Sequence, residues 1–295
     1  MRRFLPILAL AAACGGSASP DRVAVLGVDR ISGQLGGQEV ELPGTDLATV
    51  RGPAAVMVLG ASPEAGRAPD CALRRKVTGA LVARTVACVS LLGHYVAMDH
   101  ARQFLLAAGA EALLPAPVLV DESEPPGLRY DALSDTFTLG EGPEGARVPA
   151  AFNPGAVARE MARRQLRALS LAHPEEAEGI ALFLGAAAAG DPGYLAASEP
   201  GGDPMGRLDL SRPLAATAPA SAVLASALWA WADASGDPTS ASRAALAAAR
   251  AVGAAPADPA TVLSLVAAQL DGAERDQACA VFRARLHAGS VSACP

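Results

Sequence analysis

Four charged side chains in the second half of the chain are candidates for a binding or reactive site. Arg159 and Arg163 are four residues apart, Glu160 follows the first of them, and Glu178 comes later. On a helix, residues four apart share one face, so both guanidiniums would point the same way. Carboxylates beside them can accept charge-assisted hydrogen bonds. The segment therefore predicts either an ion-pair cluster or a solvated helix face with pairs between successive turns.

The same spacing occurs in a zinc-binding motif. In His-Glu-x-x-His, two histidines on one helical face bind the metal, and the glutamate activates the metal-bound water. Residues 159–163 of this chain read Arg-Glu-Met-Ala-Arg, which keeps the glutamate and the spacing. Arginine stays protonated and has no lone pair to offer a metal. Zinc would therefore lack the three protein ligands of a catalytic site.

The residues around this motif resemble the catalytic half of the thermolysin- and fungalysin-type zinc metallopeptidases, the gluzincins. Residues 130–139 precede the Asn153-Pro154-Gly155 helix start, and Glu178-Gly-Ile-Ala-Leu follows it. The resemblance covers about residues 85–295 and implies that Glu178 matches the family's third zinc ligand. Leu182 stands where the family has aspartate, and the family's later transition-state histidine has no counterpart.

The resemblance implies a pseudopeptidase without metal or other cofactor. Glu160 would be a vestigial catalytic residue, and Arg159, Arg163 and Glu178 would mark vestigial metal-site positions, with both arginines neutralising the carboxylates. The cleft would bind a peptide or protein partner or have a structural role. Two alternatives stay open. One is an active metal-dependent peptidase with atypical ligands, and the other is a helical envelope lipoprotein unrelated to peptidases.

The first residues are typical of a bacterial lipoprotein signal. Arg2 and Arg3 precede an apolar run at residues 4–13, which is too short to span a bilayer. Cys14 follows small residues, as in a lipobox, although Ala11 stands where leucine is usual. We expect cleavage before Cys14 and acylation of that cysteine, so that the partner is a lipid bilayer. Gly15 and Gly16 favour the outer membrane where the host has two. The simpler alternative is an ordinary signal peptide cut near Ala13.

The composition further limits the partners and the covalent links that the chain could have. The formal net charge is −6, and cleavage before Cys14 removes two positive charges to give −8. This argues against nucleic acid as a partner, because its phosphates need a basic face. Four cysteines remain in an exported chain, which indicates two disulfides. Three pairings are open, and sequence proximity favours the two local ones, Cys71–Cys88 and Cys279–Cys294.

The expected fold class is α+β. After a signal peptide at 1–13 and a tether at 14–21, we expect a small β-rich region at 22–84. A mainly α-helical zincin-like domain would follow at 85–295, with a hairpin made of residues 128–130 and 136–139. Caps and prolines predict the following helices: 91–108, 154–171, 174–189, 220–233, 239–252, 259–270 and 274–287. The uncharged run 214–232 is rich in alanine, which favours a core helix over a membrane span.

Overall fold

The computed structural model describes residues 22–28, 35–121, 124, 127–140, 153–171, 173–197, 208–255, 257–286 and 291–294. The predicted signal peptide, the tether and Cys14 lie outside these residues. The fold is α+β, as predicted, with a small N-terminal sheet region followed by a mainly helical region. In the described part, no helix combines the length and apolar character needed to cross a membrane.

Eight strands form two four-stranded sheets within the described ranges. The strands are β1 (Arg22–Val28), β2 (Leu35–Glu41), β3 (Ala55–Leu59), β4 (Leu73–Arg75), β5 (Leu81–Ala83), β6 (Ala116–Asp121), β7 (Gly127–Asp131) and β8 (Thr136–Gly140). The first sheet has the order β2-β1-β5-β4, in which β1 is antiparallel to β2 and parallel to β5.

The second sheet has the order β3-β6-β8-β7. Its first three strands are parallel, and β7 pairs with β8 as the predicted antiparallel hairpin. Because β3 precedes residue 85 and its partners follow it, this sheet crosses the boundary that the sequence suggested between the two regions. β7 is the last strand in the sheet order, so one of its backbone edges faces away from the sheet.

Seven α-helices are present in the described ranges. They are α1 (Val86–Ala107), α2 (Pro154–Ala168), α3 (Pro174–Ala189), α4 (Ala220–Ser235), α5 (Pro238–Val252), α6 (Pro259–Ala267) and α7 (Gly272–Arg285). Four of them begin with proline, whose fixed φ suits the first helical position. In α5 and α6 the preceding aspartates, Asp237 and Asp258, accept a hydrogen bond from the backbone of the first turn.

The helical core is built around α4, whose apolar face is buried on neighbouring helices. Leu224, Leu228 and Trp231 are fully enclosed, and Trp231 meets Phe282 of α7 edge-on with ring centroids 6.0 Å apart. Such aromatic pairs add about 0.5–1.5 kcal/mol beyond their area burial. Residues 220–232 of the uncharged run therefore belong to a core helix, as its alanine content predicted.

Both predicted disulfides are present. Cys71–Cys88 joins the segment before β4 to the first turn of α1, with Cα atoms 5.5 Å apart. Cys279–Cys294 joins α7 to the C-terminal turn, with Cα atoms 5.4 Å apart. Each closes a short loop, and in the chain-entropy model a loop of about 15 residues contributes about 3 kcal/mol by restricting the unfolded chain.

His94 in α1 gives the fold a pH dependence. Burial lowers the pKa of His94 to about 4, and its Nδ1 hydrogen-bonds to the carbonyl of Ser90 at 2.9 Å. The unfolded chain binds a proton near pH 6.5, so stability falls as the pH drops from 6.5 towards 4. Between pH 7 and 5 we expect a loss of about 2 kcal/mol from this residue.

This loss can be measured by urea unfolding at both pH values. His94→Leu should remove most of it. Met98→Leu, a volume-conserving change at a buried position of the same helix without a titratable group, is the control and should keep the loss. If His94→Leu also kept the loss, His94 would not be its source.

Candidate functional site

The site lies where α2 and α3 cross close to each other. Gly155 begins α2, and Gly185 lies late in α3. A Cβ on Gly185 would come within 2.7 Å of the Gly155 carbonyl oxygen, so glycine is needed for this approach. The start of α2 therefore meets the end of α3, and the two helices run antiparallel. This places Arg159 and Arg163 opposite Glu178, which lies in the first half of α3.

The N-terminus of α2 is fixed by Asn153. Its side-chain oxygen accepts a hydrogen bond from the backbone N–H of Ala156 at 3.0 Å, which caps the helix. Its side-chain nitrogen donates to the carbonyl of Tyr194 at 2.8 Å, in a short 3₁₀ helix at Tyr194–Ala197. The two hydrogen bonds of Asn153 thus fix where α2 begins, and with it where the arginines of this helix lie.

Arg159, Glu160, Arg163 and Glu178 form one connected ion-pair cluster, which we call the guanidinium cluster. Arg159 pairs with one carboxylate oxygen of Glu178 through Nη2. Arg163 donates to the other oxygen through Nε at 2.8 Å and Nη2 at 2.5 Å. Its Nη1 donates to both oxygens of Glu160, at 2.8 and 3.1 Å. Arg163 therefore bridges the two carboxylates.

The guanidinium cluster is largely withdrawn from water. The side chain of Glu160 is 7% exposed, that of Glu178 19%, that of Arg159 20% and that of Arg163 35%. Burial alone would lower the pKa of Arg163, but the attraction of Glu160 and Glu178 outweighs burial and raises it. Two positive and two negative side chains leave the cluster with no net formal charge.

Glu160 also binds the second sheet. Its Oε2 accepts a hydrogen bond from the backbone N–H of Tyr130 in β7 at 3.0 Å. Tyr130 is paired in register with Phe137 of β8, and a backbone N–H bonded to Glu160 points away from that partner. The carboxylate on α2 thus occupies part of the outer edge of β7. One cluster links two helices and a sheet edge.

The donor set does not fit zinc. Arg159 and Arg163 stand where the resemblance would put imidazoles, and both carboxylates are held by guanidiniums. The described histidines lie elsewhere: His94 and His100 in α1, and His173 just before α3. His287 falls outside the described residues. Within the described ranges, no group of three or more His, Cys, Asp or Glu residues could hold a metal ion.

A second arginine network lies next to the cluster and was not predicted. Arg164 donates to both oxygens of Asp135, at 2.7 and 2.8 Å, and to the carbonyl of Leu114 at 2.8 Å. Arg164 lowers the pKa of Asp135, and burial together with the bond to Asp135 raises the pKa of Tyr130 to about 12. This network fixes the β7–β8 turn on α2. In the sequence Arg164 is one of several arginines of this helix, and nothing there identifies Asp135 as its partner.

Tyr194 is another residue that the sequence did not single out. It is almost fully buried beside the start of α2, where a Cβ on Gly155 would lie 2.5 Å from its ring. Burial raises the pKa of its hydroxyl, with smaller effects from Arg159 and Glu178. The hydroxyl donates to the carbonyl of Leu182 at 3.4 Å, so this tyrosine serves as packing between the two helices.

A small cavity lies on a different face of α2. It has a volume of about 30 Å³ and is lined by residues of α1 and α2, among them Arg102, Met161 and Gln165. The side-chain nitrogen of Gln165 is buried there without a hydrogen-bond partner among the described residues. Such a volume holds one or two water molecules and is far too small for a peptide. The guanidinium cluster therefore remains the candidate site.

The predicted contacts between the arginines of α2 and the two glutamates are thus present, as is a strand beside them. Comparison with known proteins adds no identification, because neither a protein-family model nor a curated protein sequence matches the chain. What the site can do chemically therefore rests on its own groups. The four side chains form charge-assisted hydrogen bonds with one another, and their formal charges cancel.

The bridging position of Arg163 gives a testable stability effect. Arg163→Gln leaves the carboxylates of Glu160 and Glu178 without their shared cation. We expect a loss of about 2 kcal/mol in the free energy of unfolding. This is below the roughly 3–5 kcal/mol of a fully buried pair, because a third of the Arg163 side chain stays exposed. Urea unfolding measures the change.

Arg167 is the matched control, since it is exposed on the same helix. Arg167→Gln should change the free energy of unfolding by less than about 0.5 kcal/mol. A double-mutant cycle of Arg163→Gln with Glu178→Gln should show a coupling of about 1 kcal/mol or more. Equal, small effects of Arg163→Gln and Arg167→Gln would contradict the bridging role.

Proposed function

We propose that this chain is an exported lipoprotein, anchored through Cys14, whose helical region is a metal-free pseudopeptidase with a non-catalytic binding or structural role. The observation that carries the proposal is the guanidinium cluster. Arg159 and Arg163 take the two positions at which histidines bind zinc in the His-Glu-x-x-His motif. Glu178 faces them from the neighbouring antiparallel helix.

The chemistry of the cluster supports a non-catalytic role. A gluzincin-like reaction would need a metal-bound water activated by a free carboxylate. Here the carboxylate of Glu160 accepts hydrogen bonds from Arg163 and from the backbone of β7. An acceptor whose oxygens are held in this way is poorly placed to take a proton from water.

The outer edge of β7 supports a binding role for a peptide or protein partner. β7 is the last strand in its sheet, and residues two apart along a strand face the same edge. Glu160 covers this edge at the backbone N–H of Tyr130. The backbone groups of Leu128, two residues earlier, face the same edge. An extended segment of a partner could add to the sheet there by main-chain hydrogen bonding. The guanidinium cluster would then fix the position of this edge relative to α2.

Restoring histidines tests the pseudopeptidase proposal. In the double variant Arg159→His/Arg163→His, the two imidazoles and the Glu178 carboxylate together would supply the three protein ligands of a zinc site. We expect about one zinc per chain after dialysis, measured by elemental analysis. We also expect a Tm that rises with added zinc, because a ligand that binds only the folded state stabilises it.

The controls make this test specific. Adding Glu178→Gln to the double variant should abolish stoichiometric zinc, since a pair of histidines four apart on any helix binds metal only weakly. Circular dichroism establishes that each variant is folded. A folded double variant without zinc would contradict the placement of the former ligands. Stoichiometric zinc in the unaltered chain would overturn the metal-free proposal in favour of an active peptidase.

Lipid attachment requires a separate experiment. With labelled palmitate supplied to cells that express the full chain, we expect label on the protein and recovery in the membrane fraction. Cys14→Ser should lose both, because no other residue can take the acyl chains of a lipobox cysteine. As the matched control, Ser17→Ala changes a residue just beyond the cysteine and should keep both. Equal labelling of the unaltered chain and Cys14→Ser would refute the anchor.

A further inference from the structure

The β4–β5 hairpin carries an unusual charge for this protein. Residues 74–76 read Arg-Arg-Lys, which is the only run of three basic residues in a chain of net charge −6, and Lys76 is its only lysine. All three are exposed. Val77 follows at the tip of the turn and is fully exposed. A cationic run that ends in an apolar tip is chemically suited to an anionic, partly apolar surface.

The turn itself is well ordered by backbone contacts. Lys76 donates its N–H to the carbonyl of Ala80 at 2.8 Å, and Gly79 donates to the carbonyl of Lys76 at 3.0 Å. Gly79 has a φ of +87°, a conformation that favours glycine. Val77 and Thr78 are therefore held at the tip of a tight turn.

The hairpin lies next to the start of the first strand. β1 begins at Arg22 and runs parallel to β5, with Val23 in register with Leu81. One carboxylate joins the two features: Glu39 pairs with Arg22 at 3.2 Å and accepts a hydrogen bond from Thr78 at 2.9 Å. The start of the first strand and the tip of the hairpin thus share one end of the first sheet.

This end of the sheet is where the proposed lipid anchor would be. Eight residues, 14–21, begin with Cys14 and would link the lipid to Arg22. Eight residues reach at most about 28 Å when fully extended. If Cys14 is acylated, the hairpin cannot lie far from the bilayer surface.

The charge of the whole sheet points the same way. Residues 22–28, 35–41 and 73–84 contain five basic and two acidic residues, whereas the whole chain is acidic. One of the acids, Glu39, is already paired with Arg22 and Thr78. An anionic surface would attract this end of the molecule and repel the acidic remainder, which orients the protein.

We propose that the β4–β5 turn, residues 74–77, is a docking surface for an anionic phospholipid bilayer that holds the protein in one orientation on its own membrane. The orientation rests on the proposed lipid anchor, but the docking chemistry does not. Arg74, Arg75 and Lys76 meet the headgroups, and Val77 enters the apolar boundary beneath them. We expect a bilayer and not a soluble polyanion, because only a bilayer has an apolar layer in which the residue at the tip could be buried.

The experiment uses the mature chain from residue 14 with Cys14→Ser, so that no lipid can attach. It is mixed with vesicles of phosphatidylcholine alone, or with 30% phosphatidylglycerol, and partitioning is measured by sedimentation. We expect binding to the anionic vesicles that weakens with salt, as exposed charges are screened. Because acylation is tested separately with palmitate, failure here leaves the anchor standing, and failure of the anchor leaves this result interpretable.

Two pairs of variants locate the surface. Arg74→Gln/Arg75→Gln/Lys76→Gln should lower partitioning at least tenfold, since each basic side chain near an anionic surface contributes about fivefold. The control Arg167→Gln/Arg212→Gln/Arg283→Gln removes the same charge from exposed positions in the helical region and should have little effect. Val77→Asp should lower partitioning further than Leu133→Asp, which alters the equally exposed tip of the β7–β8 hairpin.

Several results would overturn the docking surface. They are no binding to anionic vesicles at low salt, equal binding to neutral vesicles, and equal losses in the two triple variants. Displacement by a soluble anionic polysaccharide at equal charge concentration would also overturn it, because the hairpin would then bind polyanions in general. Circular dichroism of each variant establishes that a loss of binding is not a loss of fold.

Discussion

Arg163 lies at the point where two helices and a sheet edge meet. Its guanidinium holds Glu178 on α3 through two nitrogens and Glu160 on its own helix through the third. Glu160 in turn accepts the backbone N–H of Tyr130 at the edge of β7. The ion pairs that connect α2, α3 and the edge of β7 therefore share one planar cation. Lysine could not replace it, because a single ammonium lacks the fixed fork that reaches two carboxylates at once.

Charge balance shows how two arginines, unlike two neutral residues, can stabilise the carboxylates of Glu160 and Glu178 without a metal ion. A site with one Zn²⁺, two neutral imidazoles and two carboxylates has no net charge. A site with two guanidiniums and two carboxylates has none either. Losing the metal while keeping the imidazoles would strand two partly buried carboxylates, each costly to bury unpaired. The arginines supply the missing positive charge and need no ion from solution.

The sequence predicted the elements whose ends carry strong local signals. α3 was predicted at its observed bounds, and α2 at its observed start, because a proline fixes the first helical position in each. α1 was predicted to begin at residue 91 but begins at Val86, where Thr85 caps it by accepting a hydrogen bond from Cys88. The first residue of the helix, Val86, is β-branched and has a low helix propensity, so the sequence pattern did not indicate that a helix begins after Thr85. β4 and β5 were not predicted, since three-residue strands contain too little alternation to detect.

The contacts of the site likewise include some that the sequence predicted and some that it did not. Contacts between Arg159, Arg163 and Glu178 could be predicted because each residue has a place in a spaced motif. The bond from Glu160 to the backbone of Tyr130 could not, because every residue but proline carries the same N–H and the sequence marks none of them. Arg164 and Asp135 likewise pair across 29 residues without a motif. These unpredicted bonds nevertheless position the second sheet. The carboxylate of Glu160 holds the edge of β7 against α2, and the pair of Arg164 with Asp135 holds the β7–β8 turn on the same helix.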